Sequence, residues 1–352
     1  MSMCGLGSVV EATAPYVVMT LRQLALAVLL VILQSVLEPS LGVSAVVIVV
    51  YEQLVSILIL CSLALLFDRG KRPKLSFQIL SWAFFIGFLQ IPVGELMFTA
   101  SLRYITATFQ SVAMNLIPAV VFVLAVACRQ ERFSCSAHGL AKLCGVLVST
   151  AGATLVVFSL SSSQDDDPSA GSGDGRFIGS LMVGLALVGV ATATLFVERV
   201  AVKYPADLSL AAMMNVFGTF QTLIVAAVME GNPSSWRIKW DGSLQLLAIL
   251  YGGTVVTGLS YLAMNWCIHK KGPVFATAFS PLLVIFSFLI QTLVLGAAAN
   301  HESIIGAVLV VGGLYLLLWA KSKDYQIQMM DVGGQTHLIE DSTAEPMLLN
   351  KA

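Results

Sequence analysis

The chain has 352 residues, 57% hydrophobic and 11% charged, with a formal net charge of −1 and a mean hydropathy of +0.88. Soluble domains carry roughly a quarter charged residues, so this composition excludes a secreted disulfide scaffold, a disordered chain and a nucleic-acid binder with a basic face. The protein reads as an all-α integral membrane protein whose first partner is the lipid bilayer. The six cysteines form no C-x-x-C pair, so neither a zinc site nor a disulfide framework is indicated, and no cofactor is expected.

Residues 1–15 read as an N-terminal segment on the cytosolic side. They hold no basic residue and no small-residue cleavage site, so the first apolar run is a retained span, not a removed signal. A bilayer core of about 30 Å takes roughly 20 apolar residues per helix. Ten stretches meet that length: 16–37, 43–67, 76–101, 106–127, 138–160, 177–197, 208–229, 244–267, 274–297 and 303–320. Gly, Ala, Ser and Thr recur among their Val, Ile and Leu residues, a pattern that lets helix backbones pack closely in lipid.

Basic residues fall mostly on one flank. Arg69, Lys71, Arg72 and Lys74 follow the second span, and Arg129, Arg132 and Lys142 are assigned to the region after the fourth. Arg199 and Lys203 follow the sixth, Lys270 and Lys271 the eighth, and Lys321, Lys323 and Lys351 the tenth, while Arg22 is read as the start of the first. The opposite flank has Arg103, Arg176, Arg237 and Lys239. By the positive-inside rule both termini are cytosolic. Residues 161–176, SSSQDDDPSAGSGDGR, read as a solvated extracytosolic linker between halves 16–160 and 177–320, with 321–352 as a cytosolic tail. Five spans per half means that the halves enter the membrane in opposite senses, which is the arithmetic of two inverted five-helix repeats.

The second half contains Tyr204-Pro205-Ala206-Asp207-Leu208-Ser209-Leu210, Gly258-Leu259-Ser260-Tyr261, Lys270-Lys271-Gly272-Pro273-Val274-Phe275 and Gly312-Gly313-Leu314-Tyr315. In that order these motifs resemble the plant nodulin-like branch of the EamA, or drug/metabolite transporter, superfamily. That branch includes the walls-are-thin-related proteins and the transporters named for moving multiple amino acids in and out. The resemblance implies a ten-helix transporter with a pathway between its halves, carrying amino acids or related small metabolites by alternating access. Auxin or another indole or secondary metabolite is the alternative cargo, and a non-transporting membrane scaffold the alternative role. The first half departs from the pattern: Gln34 stands where relatives commonly have Lys, and Glu52 follows Tyr51 where they commonly have Arg. These changes argue against an anion held at those positions.

Charge inside a bilayer costs roughly 2.5–3.5 kcal/mol even on insertion scales, so intramembrane acids mark either function or a wet boundary. Glu52 in the second span and Glu95 in the third, after Pro92 and Gly94, fit proton binding or contact with a substrate ammonium group. The alternative is that they face the outer vestibule, near Arg103. Amides supply donors and acceptors suited to a zwitterion, or to helix–helix bonding, and Gln23, Gln110, Asn115, Asn215 and Asn265 are candidates for the pathway. Pro118 and Pro281 interrupt the fourth and ninth spans, either at the substrate site or simply to shape the bundle. Tyr261 is a candidate aromatic wall. The four histidines fall in loops, at span edges or in the tail, and the aspartates lie outside span centres, which argues against a membrane-embedded enzyme. The polar tail approaches an acidic dileucine signal at Glu345 and Leu348-Leu349. The expected location is the plasma membrane, with the vacuolar membrane as the alternative.

Overall fold

The computed structural model describes residues 3–36, 44–70, 72–101, 104, 113–131, 137–161, 173–231, 236, 244–295, 301–302, 304–320 and 323. Helices α1 (Met3–Val36) and α2 (Ala45–Phe67) are followed by α3 (Phe77–Phe88), which passes through a π-helical segment, Leu89–Leu96, into α4 (Met97–Ser101). Next come α5 (Ile117–Ala127), α6 (Ala137–Ser161), α7 (Gly173–Lys203) and α8 (Asp207–Met229). Helix α9 (Leu244–Tyr251) runs through a second π-helical segment, Gly252–Leu259, into α10 (Ser260–Lys271). The chain continues with α11 (Pro273–Ala278), α12 (Leu282–Leu295) and α13 (Ile304–Ala320).

Among the described residues eight helical stretches are long and apolar enough to cross a membrane, and Ile117–Ala127 and Ile304–Ala320 are shorter apolar helices. These ten overlap the ten predicted spans, although Ile117–Ala127 covers only the second half of 106–127, of which residues 106–112 lie outside the described residues. The described residues are helices and turns without strands. Helix boundaries depart from the apolar runs because backbone hydrogen bonding does not stop where apolarity stops. Helix α1 begins at Met3 rather than near residue 16, and α7 begins at Gly173, inside the predicted linker, and runs on to Lys203.

The π-helical segments have local causes. Pro92 lacks an N–H and its ring crowds the carbonyl one turn back, so the α-helical ladder widens around it. In Gly252–Leu259, Gly252 and Gly253 remove side chains where the backbone meets α2. Thr254 Oγ1 donates back to the Leu250 carbonyl at 2.6 Å, a bond that competes with the ladder.

Packing follows a two-fold scheme. Helix α1 packs on α12 as α7 packs on α5, and α2 packs on the second π-helical segment as α8 packs on the first. Helix α2 also lies against α8, its counterpart under the same exchange. In lipid, association depends on close packing rather than on water exclusion. Gly152 of α6 faces Gly306 of α13 so closely that a Cβ on Gly152 would lie 2.7 Å from the Gly306 carbonyl oxygen.

Each end of the α2–α8 pair is fastened. At one end Asp68 accepts from the Ser209 backbone N–H at 2.9 Å and from its hydroxyl at 2.8 Å, capping α8 from another helix. Asp207 and His269 meet there at 2.8 Å, joining α8 to α10, and Arg72 donates to the Ala64 carbonyl at the close of α2. At the other end the Ser44 hydroxyl donates to Glu230 at 2.8 Å and Trp236 Nε1 to the Glu230 carbonyl at 3.0 Å. The Tyr51 hydroxyl donates to the Trp236 carbonyl at 3.0 Å.

Two basic residues assigned to flanking loops are corrected. Lys142 lies within α6, 2% exposed, and is paired with Glu131 at 2.8 Å. Arg22 lies near the middle of the membrane stretch Thr13–Leu33, because α1 starts earlier than its apolar run.

Candidate polar centre between the second and eighth helices

Helix α2 contributes two consecutive polar residues, Glu52 and Gln53, in an otherwise apolar run. Successive helical side chains diverge by about 100°, so the two reach different neighbours. Glu52 is 3% exposed and turned toward the second π-helical segment, where a Cβ on Gly252 would strike its carboxylate. Adjacent Gly253 has the same constraint: a Cβ there would lie 2.5 Å from the Val55 Cβ. Only glycine at these positions lets the two backbones approach.

Gln53 is fully buried and joins three helical elements. Its Nε2 donates to Glu95 Oε2 at 2.8 Å, and its Oε1 accepts from Asn215 Nδ2 of α8 at 3.0 Å. Glu95 sits in the first π-helical segment, half-buried, and lies within electrostatic range of Glu52. The structure thus joins Glu95 and Asn215 through Gln53, with Glu52 within electrostatic range of Glu95. Sequence reasoning passed over Gln53, although the Glu52-Gln53 doublet in an apolar helix was a signal for it. Arg103, the alternative partner for Glu95, lies outside the described residues, as does Gln110.

A second group lies where α1 meets α10. Tyr251 donates to the Ala25 carbonyl at 3.1 Å, and Arg22 Nε donates to the Ser260 carbonyl at 3.3 Å. Half-buried Tyr261 lies within electrostatic range of both Arg22 and Glu95.

Several amides are buried with polar atoms that find no partner among the described residues. They include Gln23 Nε2, Asn115 Nδ2, Asn215 Oδ1 and both side-chain polar atoms of Asn265, together with Glu52 Oε1. Such atoms are costly in a low-dielectric interior. Asn115 sits in the turn just before α5. Pro118 and Pro281 do not bend continuous helices. Pro118 lies in the first turn of α5, and Pro281 closes the turn 279–281 that separates α11 from α12. A proline at a helix start loses no intrahelical bond; the interruptions are the turns themselves.

The geometry is that of a membrane bundle with a polar middle, and the comparisons agree. The description "EamA-like transporter family" matches residues 177–319. The WAT1-related protein At2g37460 of Arabidopsis thaliana is 32% identical over 96% of this chain and 89% of its own length. The WAT1-related protein At4g08290 of the same plant is 31% identical over 93% and 88%. A solved crystal structure shares the fold at a TM-score of 0.65 and 17% identity, covering 88% of this chain and 99% of that one.

Proposed function

Because the chain belongs to the WAT1-related family and is a multi-pass membrane transporter of the drug/metabolite superfamily, we propose that it moves amino acids or related small metabolites by alternating access. Halves 16–160 and 177–320 rock about the centre where α2 meets α8, and the protein carries out no catalytic step. The observation that carries this reading is the Glu95–Gln53–Asn215 chain with Glu52 beside it, set in a helical interface that is apolar on either side. Such a group supplies both acceptors and donors to a small zwitterion, and its two carboxylates suit proton binding or an ammonium group. Both termini are cytosolic in this reading and the membrane is the plasma membrane, on the strength of the basic residues flanking alternate spans and of the tail.

A second cargo, auxin or another indole metabolite, is favoured by Tyr261 and Trp266, both half-buried on α10. The test is counterflow in proteoliposomes with labelled alanine, glutamine, phenylalanine and indole-3-acetate, each with and without a pH gradient. Exchange of the amino acids supports the first cargo, and exchange of indole-3-acetate alone supports the second. Exchange of none of the four, by protein that retains its melting transition, removes both.

A further inference from the structure

We propose that Arg22 is the carboxylate-binding residue of the transport site, so that substrates are held at opposite ends by Arg22 and by the Glu95 group. The inference deepens the transport reading above and depends on it for the existence of a small-molecule cargo.

Arg22 lies nine residues into the stretch Thr13–Leu33, which places it about 13 Å along a helix that crosses roughly 30 Å. The acceptor carbonyl on Ser260 is eleven residues from the end of α10 at Lys271, about 16 Å, so both partners independently mark the middle of the bundle. A guanidinium at that depth needs an anionic partner, backbone oxygens or water. Among the described residues it makes one hydrogen bond, from Nε to the Ser260 carbonyl at 3.3 Å. No carboxylate lies within ion-pair distance of it among the described residues. The bond through Nε orients the side chain and leaves the two terminal nitrogens without a partner among the described residues.

The remaining donors form a planar fork that matches a carboxylate in two parallel bonds. The surroundings fit such a ligand. Arg22 is half-buried, and Tyr261, with a phenol that both donates and accepts, lies in range of it. Glu95 also lies within electrostatic range of Tyr261. A positive and a negative group that both lie within range of one aromatic hydroxyl complement a molecule that carries both a carboxylate and a cationic or hydrogen-bonding group. Arg22 also has no acidic neighbour on its own helix: α1 contains Glu11 as its one acidic residue, eleven positions earlier.

Two experiments test the assignment. In the first, wild-type protein in proteoliposomes exchanges labelled phenylalanine, glutamine, alanine or indole-3-acetate, and each exchange is competed with the same compound converted to its amide. Loss of the carboxylate is expected to weaken competition about tenfold or more. In the second, Arg22→Gln is expected to raise the half-saturation concentration by a similar factor, and Arg22→Lys by less, because Lys keeps the charge without the fork. Amides that compete as well as their parents overturn the proposal. So does an Arg22→Gln protein with a wild-type melting temperature and unchanged half-saturation. Arg22-dependent exchange of indole-3-acetate alone would sustain the Arg22 assignment while removing the amino-acid reading. Amino-acid exchange indifferent to Arg22 would do the reverse. If none of the four carboxylates exchanges or shifts the melting temperature of the wild type, the assignment falls.

Discussion

The side-chain amide of Gln53 donates to the carboxylate of Glu95 across 2.8 Å, linking the second helix to the π-helical part of the third span. The other end of the same amide accepts from Asn215, so one side chain orients a carboxylate and a second amide together. Replacing Gln53 by Leu keeps the volume close but strands both partners in a buried setting, at a cost of about 1–3 kcal/mol. The melting temperature of the purified protein should fall and counterflow should drop steeply. An unchanged melting transition with full counterflow would show that the chain of amides matters to neither.

Glu52 and Glu95 lie within electrostatic range of each other. If they carry the coupling proton, Glu52→Gln will abolish accumulation driven by a pH gradient while leaving counterflow without a gradient in place, whereas Glu95→Gln, which also removes a group that holds the substrate, will abolish accumulation and raise the half-saturation concentration of counterflow. Gradient-driven uptake that survives both substitutions would assign the two carboxylates a structural role.

The approach of α2 to the second π-helical segment predicts a contrast among glycines. Gly253→Ala forces a Cβ against Val55, and overpacking of this kind costs about 1–3 kcal/mol. Gly184, on the exposed face of α7, has no atom within 4 Å of an added Cβ. Gly184→Ala should therefore leave the melting temperature unchanged or slightly higher, since alanine is the better helix former. Equal effects at the two positions would contradict the close approach.

Asp68 caps α8 through two bonds to Ser209, although it belongs to the end of α2. Ala206, at the cap position itself, offers no side-chain bond. Asp68→Ala should cost about 1 kcal/mol, as for other lost caps. Asp68→Asn, which retains an acceptor oxygen, should cost less. Thermal melts of the two variants check the order. Because this contact fastens one end of the α2–α8 pair, the alanine variant should also alter the rate of counterflow under the alternating-access reading.

The ten apolar stretches were legible in the sequence because solubility in lipid is a property of composition over about 20 residues. The polar residues inside them were legible for the same reason: Glu52, Glu95, Asn215 and Tyr261 stand out against Leu, Val and Ile. Arg22 was misplaced at a helix edge because the apolar run begins near Tyr16, whereas the helix that carries it begins at Met3. Pro118 and Pro281 were legible as interruptions, but which residues form the turn depends on backbone geometry that a proline alone does not set.

By itself the sequence determined that this chain spans a membrane many times and which residues are expensive to place there. Both follow from transfer free energies that each residue carries with it. Only the tertiary structure decided which of those residues meet. Gln53 reaches Glu95 and Asn215 through the mutual rotation of three helical elements 42 and 162 positions apart along the chain. Arg22 reaches Ser260 across 238 positions. The π-helical segments at Leu89–Leu96 and Gly252–Leu259 shift that rotation by inserting extra backbone into a turn. No local pattern of residues fixes such a register, because it is set by the packing of every helix against its neighbours.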